Sequence, residues 1–428
     1  MTDIIQAKKT ALLGYHYTNA GILPNEWTSR PLSSIVEEIT ETAGTRKIET
    51  VSISAGVGFV NQAEKFGKEL SGKQYEKYTV LHRGDFSYNK GNSNLYPQGC
   101  IYRLNDRTEA AVPNVFESFR VSDGNPDFYE QLFISGFLNR QLHSRINRGV
   151  RDDGLLNLRG KDFYSCEVPC PPLAEQERIA EILMQCDKVI ELCEKKLVET
   201  KKLKKTCLRW MFPENGDKAP KLRFSGYTNN WELSKIGLHA RVLSAARVHK
   251  HEWTPTGIPF FRSSDVVSAY KGTPNEKAFI SIELYEELIK TSGELEEGDI
   301  LVTGGGSIGI PYIVPDNTPL YSKDADLIWI KKSKDVDSMY LFSYLESAIF
   351  RKHIESISHV GTIAHYTIEQ VKATPIALPS HDEQVRIGDF FQKLNSLIEL
   401  YDRELNEHKM HKKATLQLLL TGIVRTKV

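Results

Sequence analysis

Two stretches of this chain repeat each other, and that duplication limits the possible folds more than any other feature. An offset of 208 residues carries Glu175-Gln176-Glu177-Arg178-Ile179 onto Glu383-Gln384-Val385-Arg386-Ile387. The same offset pairs Pro171 with Pro379, Ile190-Glu191-Leu192 with Ile398-Glu399-Leu400, Leu197 with Leu405, Lys201 with Lys409, and Lys204-Lys205 with Lys412-Lys413. An offset of 204 pairs Trp27 with Trp231, each five residues ahead of an aliphatic residue, Leu32 or Ile236. A self-similar chain of this kind uses one structural plan twice. Each half runs from a tryptophan, through an insert of about 140 residues, to a proline stop and a helix. The inserts match each other poorly.

The repeated helices are the clearest elements. From Leu173 to Phe212 there is no Gly or Pro, and good helix formers dominate. Ile179, Leu183, Cys186, Ile190, Cys193, Leu197, Thr200, Lys204, Cys207 and Met211 alternate steps of four and three, which is a heptad seam. The repeat gives Ile387, Phe391, Leu394, Ile398, Tyr401, Leu405, His408, Lys412, Thr415 and Leu419. Both seams turn polar at the same place, Thr200/Lys204 and His408/Lys412. That coincidence favours two helices packed on each other over two helices on separate cores. Glu175, Glu177, Glu181 and Asp187 lie early in the first helix; Lys201, Lys202, Lys204, Lys205 and Arg209 lie late. This order suits the helix macrodipole and an antiparallel partner. About 40 residues at 1.5 Å each make a rod of roughly 60 Å.

A chain of 428 residues is long enough for two or three domains and at least two cores. The expected fold class is mixed α/β (α+β): two globular domains separated by two long antiparallel coiled-coil helices, as a pseudo-repeat. The expected boundaries are 1–172 for the first domain, 173–212 for the central helix, and 213–224 for a linker around Pro213 and Pro220. A second domain spans 225–378, followed by a helix and tail over 379–428. Ile300–Thr303, Tyr312–Val314 and Leu327–Ile330 are strand candidates; Phe128–Arg145 and Ser338–Ser356 read as helices.

Composition excludes several classes. Lys plus Arg (55) equals Asp plus Glu (55), so the chain is not coated in positive charge, although local basic faces remain open. No stretch approaches eighteen consecutive apolar residues, which argues against a membrane span, and the N-terminus does not read as a signal peptide. The six cysteines form no CxxC pair; several recur at helical spacing as small hydrophobes, which fits a cytoplasmic protein.

Catalytic motifs fail on inspection. Gly304-Gly305-Gly306-Ser307-Ile308-Gly309 satisfies GxGxxG, but Pro311 and Pro315 follow where a dinucleotide site needs a helix. A tight β-turn is the better reading. Gly154 and Gly160-Lys161 miss P-loop spacing, and Asn125-Pro126-Asp127-Phe128 fails as an amino-methyltransferase motif at its third position. Pro126-Asp127 and Pro315-Asp316 lack the rest of a nuclease signature. There is no HExxH, and the twelve histidines show no ligand spacing.

Polar loops in the inserts suit surface recognition instead. Tyr88-Asn89-Lys90-Gly91-Asn92-Ser93-Asn94 places an aromatic, a lysine and asparagines around a glycine; Asn can read adenine, and Lys can bond guanine or phosphate. Arg145, Arg148 and Arg151 surround Gly149. Arg262-Ser263-Ser264-Asp265 and the run His359–Tyr366 are comparable stretches in the second half.

Two inserts alternating with two Pro-bounded helices carrying Glu-Gln-x-Arg-Ile form a recognisable pattern. Lys221-Leu222-Arg223-Phe224, Gly304–Gly309 and the closing Leu420-Thr421-Gly422 complete it. Over essentially the whole chain it resembles the specificity (S) subunit of type I restriction–modification systems. The resemblance implies that each insert is a target recognition domain reading one half of a split double-stranded DNA sequence. The helices would set the unread spacer and recruit two modification (methyltransferase) subunits, which restriction (endonuclease/translocase) subunits would join. This subunit would hold no cofactor; S-adenosylmethionine, ATP and Mg2+ would belong to its partners. Candidate DNA contacts are Tyr88, Lys90, Asn92, Asn94, Arg148 and Arg151 in the first half. In the second they are Arg262, Ser264, Ser307, Lys323, His365 and Tyr366. One departure is that the first half shows no equivalent of the Gly304–Gly309 turn. A single-chain DNA-modifying enzyme and a coiled-coil scaffold are the alternative readings. If basic residues sit on separate reading loops while acidic ones cover other faces, the isolated chain should bind DNA weakly.

Overall fold

The computed structural model describes residues 14–67, 72–91, 96–146, 156–214, 217–322, 327–358 and 365–426. The chain forms two compact units, Met1–Leu192 with Leu405–Val428, and Cys193–Glu404. This division cuts through both long helices, because each half of a helix packs on a different core. The boundaries expected from sequence follow elements instead.

The first unit is built on four antiparallel strands, β1 (Val36–Glu38), β2 (Phe86–Asn89), β3 (Cys100–Arg103) and β4 (Glu117–Val121), in the order β1-β4-β2-β3. Residues two apart on a strand share a face, so Phe86 and Tyr88 enter the core together. Phe86 stacks on Phe119 at 5.5 Å and Tyr88 on Phe163 at 4.7 Å between ring centroids. Helices α1 (Pro126–Ile134), α2 (Asn139–Arg145) and α3 (Gly160–Tyr164) follow. The single helix expected over 128–145 is broken at Gly136, which takes a φ of +73°, a conformation that costs a residue with a Cβ. The unit also takes the first part of α4 (Leu173–Trp210), which ends two residues before the expected Phe212. A hairpin, Val51–Ser54 with Gly58–Asn61, and the pair Thr79–His82 with Glu109–Val112 close a smaller core around Val51, Leu81 and Val112.

The second unit repeats this plan. Strands β5 (Val242–Leu243), β6 (Ile300–Thr303), β7 (Pro311–Ile313) and β8 (Leu327–Ile330) are ordered β5-β8-β6-β7. Helices α5 (Ser338–Glu346), α6 (Ala348–Ser358) and α7 (Ile368–Ala373) follow, then α8 (His381–Leu420). Ser347 separates α5 from α6, its hydroxyl accepting from the Phe350 amide, so the helix expected over 338–356 is also two. An additional sheet of Trp253–Thr254, Ala278–Ile280, Ile258–Phe261 and Tyr321–Ser322, with one parallel pair, has its own core around Phe260 and Ile280.

The registers of the two sheets coincide. Phe86 faces Phe119 as Ile300 faces Ile330, and Tyr88 faces Glu117 as Val302 faces Ile328. Along β2 and β6 the offset is 214, and it exposes a repeat not evident in the poorly matching inserts: Gly84-Asp85 and Gly298-Asp299. Both glycines have positive φ, +97° and +88°. Each buried aspartate accepts the backbone N–H three residues earlier, from His82 at 2.7 Å or Glu296 at 3.0 Å. Arg120 then grips Asp85 with two bonds, and Trp329 Nε1 donates to Asp299 at 2.9 Å. The Gly304–Gly309 turn, which the sequence reading left without a partner, therefore has a counterpart in the β2–β3 connection.

In each unit α4 and α8 pack antiparallel along the expected seam. In the first, Ile179 and Leu183 share a core with Leu419 and Leu420, and Asp187 pairs with Lys412 at 2.5 Å. In the second, Cys207, Met211 and Phe212 share one with Ile387, Phe391 and Leu394, and Lys196 lies over the Tyr401 ring. The two seam lysines at equivalent positions each meet an acid, since Lys204 pairs with Glu346 at 2.8 Å. Burying a cation in a seam without such a partner would be costly.

The repeated Glu-Gln pair closes each unit. Glu175 accepts from Trp27 Nε1 (2.9 Å) and bidentately from Arg425 (2.7 and 2.8 Å). Glu383 receives Arg223 bidentately, both bonds 2.7 Å. Arg425 lies over Trp27 and Arg223 over Trp231. Gln176 and Gln384 accept the amides of Asn125 and Asp337, the N-caps of α1 and α5. They donate to Pro171 and Pro379 carbonyls. The repeated tryptophan, proline, glutamate and glutamine are thus parts of one clamp.

Candidate nucleic-acid interface

Each unit brings two loops together at one end of its sheet. In the first these are the β2–β3 connection and the α2–α3 connection, joined by the Leu156 amide donating to the Lys90 carbonyl at 2.9 Å. In the second they are the β6–β7 turn and the α6–α7 connection, joined by the Tyr366 amide donating to the Gly304 carbonyl at 2.8 Å. Most of the candidate residues fall on or beside these loops. Asn92, Asn94, Arg148, Arg151 and Lys323 lie outside the described residues.

The described candidates divide by exposure. Ser307 and His365 are exposed, as is Ser264 at the start of the helix Ser263–Lys271. Tyr88 is fully buried, its hydroxyl donating to the Gln98 carbonyl at 2.7 Å, and burial pushes its phenol pKa up. Tyr366 is likewise buried, its hydroxyl bonded to Thr374. These two rings are core residues that anchor the loops from beneath, so the sequence expectation is corrected for both. Lys90 is committed as well: its Nζ lies 2.5 Å from Glu117, and both side chains are largely buried. Arg262 forms a double contact with Asp265, which raises its pKa, and lies over Trp253.

The β6–β7 turn is built as a closed loop. The Gly309 amide donates to the Thr303 carbonyl at 2.7 Å, and Thr303 Oγ1 accepts from Ile310 while donating to Ser307. Arg351 donates to the Gly309 carbonyl from α6. A strand follows, with no helix for a pyrophosphate to face. Gly309 has a φ of +71°, and a Cβ there would stand 2.9 Å from Ile354 Cγ1. Gly309→Ala is therefore expected to destabilise the second unit by about 2–4 kcal/mol from backbone strain and overpacking, measured as a lower unfolding temperature.

Asn89, read from sequence only as one of the polar residues of its loop, has a structural role that the sequence reading missed. Its Nδ2 donates to Ile53 O at 3.2 Å and its Oδ1 accepts the Gly91 amide at 2.8 Å, tying the β2–β3 connection to the Val51–Asn61 hairpin. The Asn-x-Gly spacing is the signal, as in an Asx turn. Elsewhere, burial raises the thiol pKa of Cys100 and of Cys166 to about 11, far from a reactive thiolate. Among the described residues no cluster of His, Cys, Asp and Glu could hold a metal ion, and no helix is long and apolar enough to cross a membrane.

Fold and loops together define a duplicated α/β recognition module, each copy presenting paired loops at one end of its sheet and closed by an antiparallel helix clamp. The sequence model of the family described as "Type I restriction modification DNA specificity domain" matches twice, over residues 4–202 and 229–409. The chain belongs to that family, the DNA sequence-specificity subunits of type I restriction–modification systems. It is 26% identical to the type I restriction enzyme MjaVIII specificity subunit of Methanocaldococcus jannaschii, over 70% of each chain. With the putative MjaX specificity subunit of the same organism it shares 22% identity over 96% of each. Among solved structures, a type I restriction–modification S subunit from M. genitalium matches with a TM-score of 0.55 at 15% identity, over 92% of this chain and 96% of that one. A chain of a type I R-M system, solved for its complex assembly and conformational transition, gives 0.52 at 18%, over 94% and 99%. These two likenesses concern the fold.

Proposed function

We propose that this chain reads a two-part DNA sequence, one part with the loop pair of each unit, and performs no chemistry itself. The observation that carries the reading is the loop pairing itself, repeated by equivalent backbone bonds on equivalent sheets. Ser307, His365 and Ser264 offer exposed side chains to bases or phosphates, although the Ser264 hydroxyl already accepts from Asn275 Nδ2 at 3.2 Å; Asn92, Asn94, Arg148, Arg151 and Lys323 are proposed contacts from their residue types. Lys90 and Arg262 act in positioning. The modification subunits would bind along α4 and α8, which expose Leu192, Val198, Leu203 and Met410. They would bring S-adenosylmethionine, and restriction subunits ATP and Mg2+, to a complex working in the cytoplasm.

Sequencing methylated positions in a host carrying this chain and its modification partner tests the reading: a bipartite motif is expected, and a continuous motif or none would overturn it. Methyl transfer from S-adenosylmethionine by the chain alone would remove the non-catalytic assignment. The helices should act as the ruler. Inserting seven residues after both Leu197 and Tyr401 keeps the heptad phase and adds about 10 Å, or about three base pairs at 3.4 Å each. The spacer should lengthen while both half-sites stay unchanged; altered half-sites would contradict the division of labour.

A further inference from the structure

The two loop pairs differ at their junction. In the first unit the Lys90–Glu117 ion pair fills it, with Glu117 lying against Gly160, where an added Cβ would sit 3.0 Å from the carboxylate. The shared sheet register and helix offset place Gly304, Ile328 and Ile368 at the corresponding positions of the second unit. There the charged plug is absent, and a cavity of about 360 Å3 opens between the loops, lined by Ser244, Gly304, Ile328, Tyr366, Ile368 and Glu369. Its walls are mainly apolar. The Tyr366 hydroxyl is already bonded to Thr374, so that ring offers only its apolar surface. Polar groups stand at the rim: Ser244, Glu369 and the exposed His365.

We propose that this cavity takes a single nucleobase turned out of the stack of the half-site read by the second unit. The inference rests on the DNA-reading function above. A base left in the duplex offers an edge, and a methyl on that edge displaces on the order of one water, ~30 Å3; most of the cavity would stay unfilled. A planar group with apolar faces and a polar edge fits the walls and the rim together. Glu369 is 80% exposed and, among the described residues, pairs with Lys372 from its own helix, so its carboxylate can turn to accept from the amino group of cytosine or adenine. Unstacking a base costs a few kcal/mol, which makes the event sensitive to the pair being opened.

The test uses the chain complexed with its modification partner on duplexes carrying the recognised sequence. 2-Aminopurine is scanned through both half-sites, leaving out the adenines that are methylated. One position in the second unit's half-site should brighten roughly five-fold or more, as an unstacked base does, and none in the other. A mismatch opposite that position should tighten binding. G304K, which supplies the lysine of the first unit's plug, should abolish the signal; E369K blocks the rim from an exposed site and should do the same without disturbing the fold. No brightening in the wild type, or brightening that survives both substitutions, would overturn the proposal. If the methylated motif is bipartite and no base unstacks, only the cavity assignment falls; if no bipartite motif exists, the functional reading falls first.

Discussion

Glu383→Ala is expected to lower the stability of the second unit by about 3–5 kcal/mol, the usual cost of removing one partner from a buried ion pair. Glu383 is 1% exposed and Arg223 14%, so the guanidinium left behind cannot recover water without opening the clamp. For a unit of about 200 residues the unfolding transition should fall by roughly 10 °C. Glu175→Ala should cost less, about 1–3 kcal/mol. Arg425 is 36% exposed there and can re-solvate, leaving chiefly the buried Trp27 N–H without its acceptor. Replacing Arg223 and Glu383 together by leucine should recover much of the loss, since an apolar pair of similar size leaves no charge stranded. Calorimetry on the three variants checks the order. A larger loss for Glu175→Ala, or none for Glu383→Ala, would place the weight of the clamp elsewhere.

The tryptophan, proline, glutamate and glutamine of the clamp were legible in the sequence as repeats, though not as a clamp, because the clamp's chemistry leaves little choice. A buried indole beneath a guanidinium, a carboxylate to hold that guanidinium and an amide to meet the N-cap of the next helix call for Trp, Glu and Gln in each copy; in the first unit the carboxylate also accepts from the indole. The helices were legible because a seam over ten heptad positions is a long signal. The sheets were hidden for the opposite reason. Strands of two to five residues accept any bulky apolar side chain, so Phe86, Tyr88 and Phe119 stand where the other unit has Ile300, Val302 and Ile330. Loops of different length shift the offset from 204 to 214 and back to 208, which defeats a search at one fixed spacing. Only Gly84-Asp85 survives as a match, because a positive φ and an aspartate cap are geometric demands. At the candidate interface, Tyr88 was misread from its polar neighbours although its spacing from Phe86 places both on the inner face. That Lys90 and Arg262 are held by acids 27 and three residues away along the chain follows from packing, which the loop sequences do not carry.

Exchanging Ser29–Val168 for the corresponding segment of another specificity subunit should replace one half-site completely and leave the other half-site and the spacer as they were. The clamp makes such a graft tolerable. Trp27, Pro171, Glu175, Gln176 and Arg425 all lie outside the exchanged segment. What the segment returns to the clamp is a backbone N–H, since Gln176 bonds the amide of Asn125 and not its side chain. Asp337 fills the same role in the other unit with a different residue. The strand pair at the graft edges is also preserved in kind: Arg30 faces Val168 inside the segment, while Thr28 faces Cys170 outside it. Each mismatched base pair costs about 1–3 kcal/mol of specific binding, so three or more changed positions should suppress methylation at the old sequence by about a hundred-fold or more. A graft that failed to seat in the clamp would instead lower the unfolding temperature and methylation at every sequence alike. A change in both half-sites of a stable graft would show that the two units do not read independently.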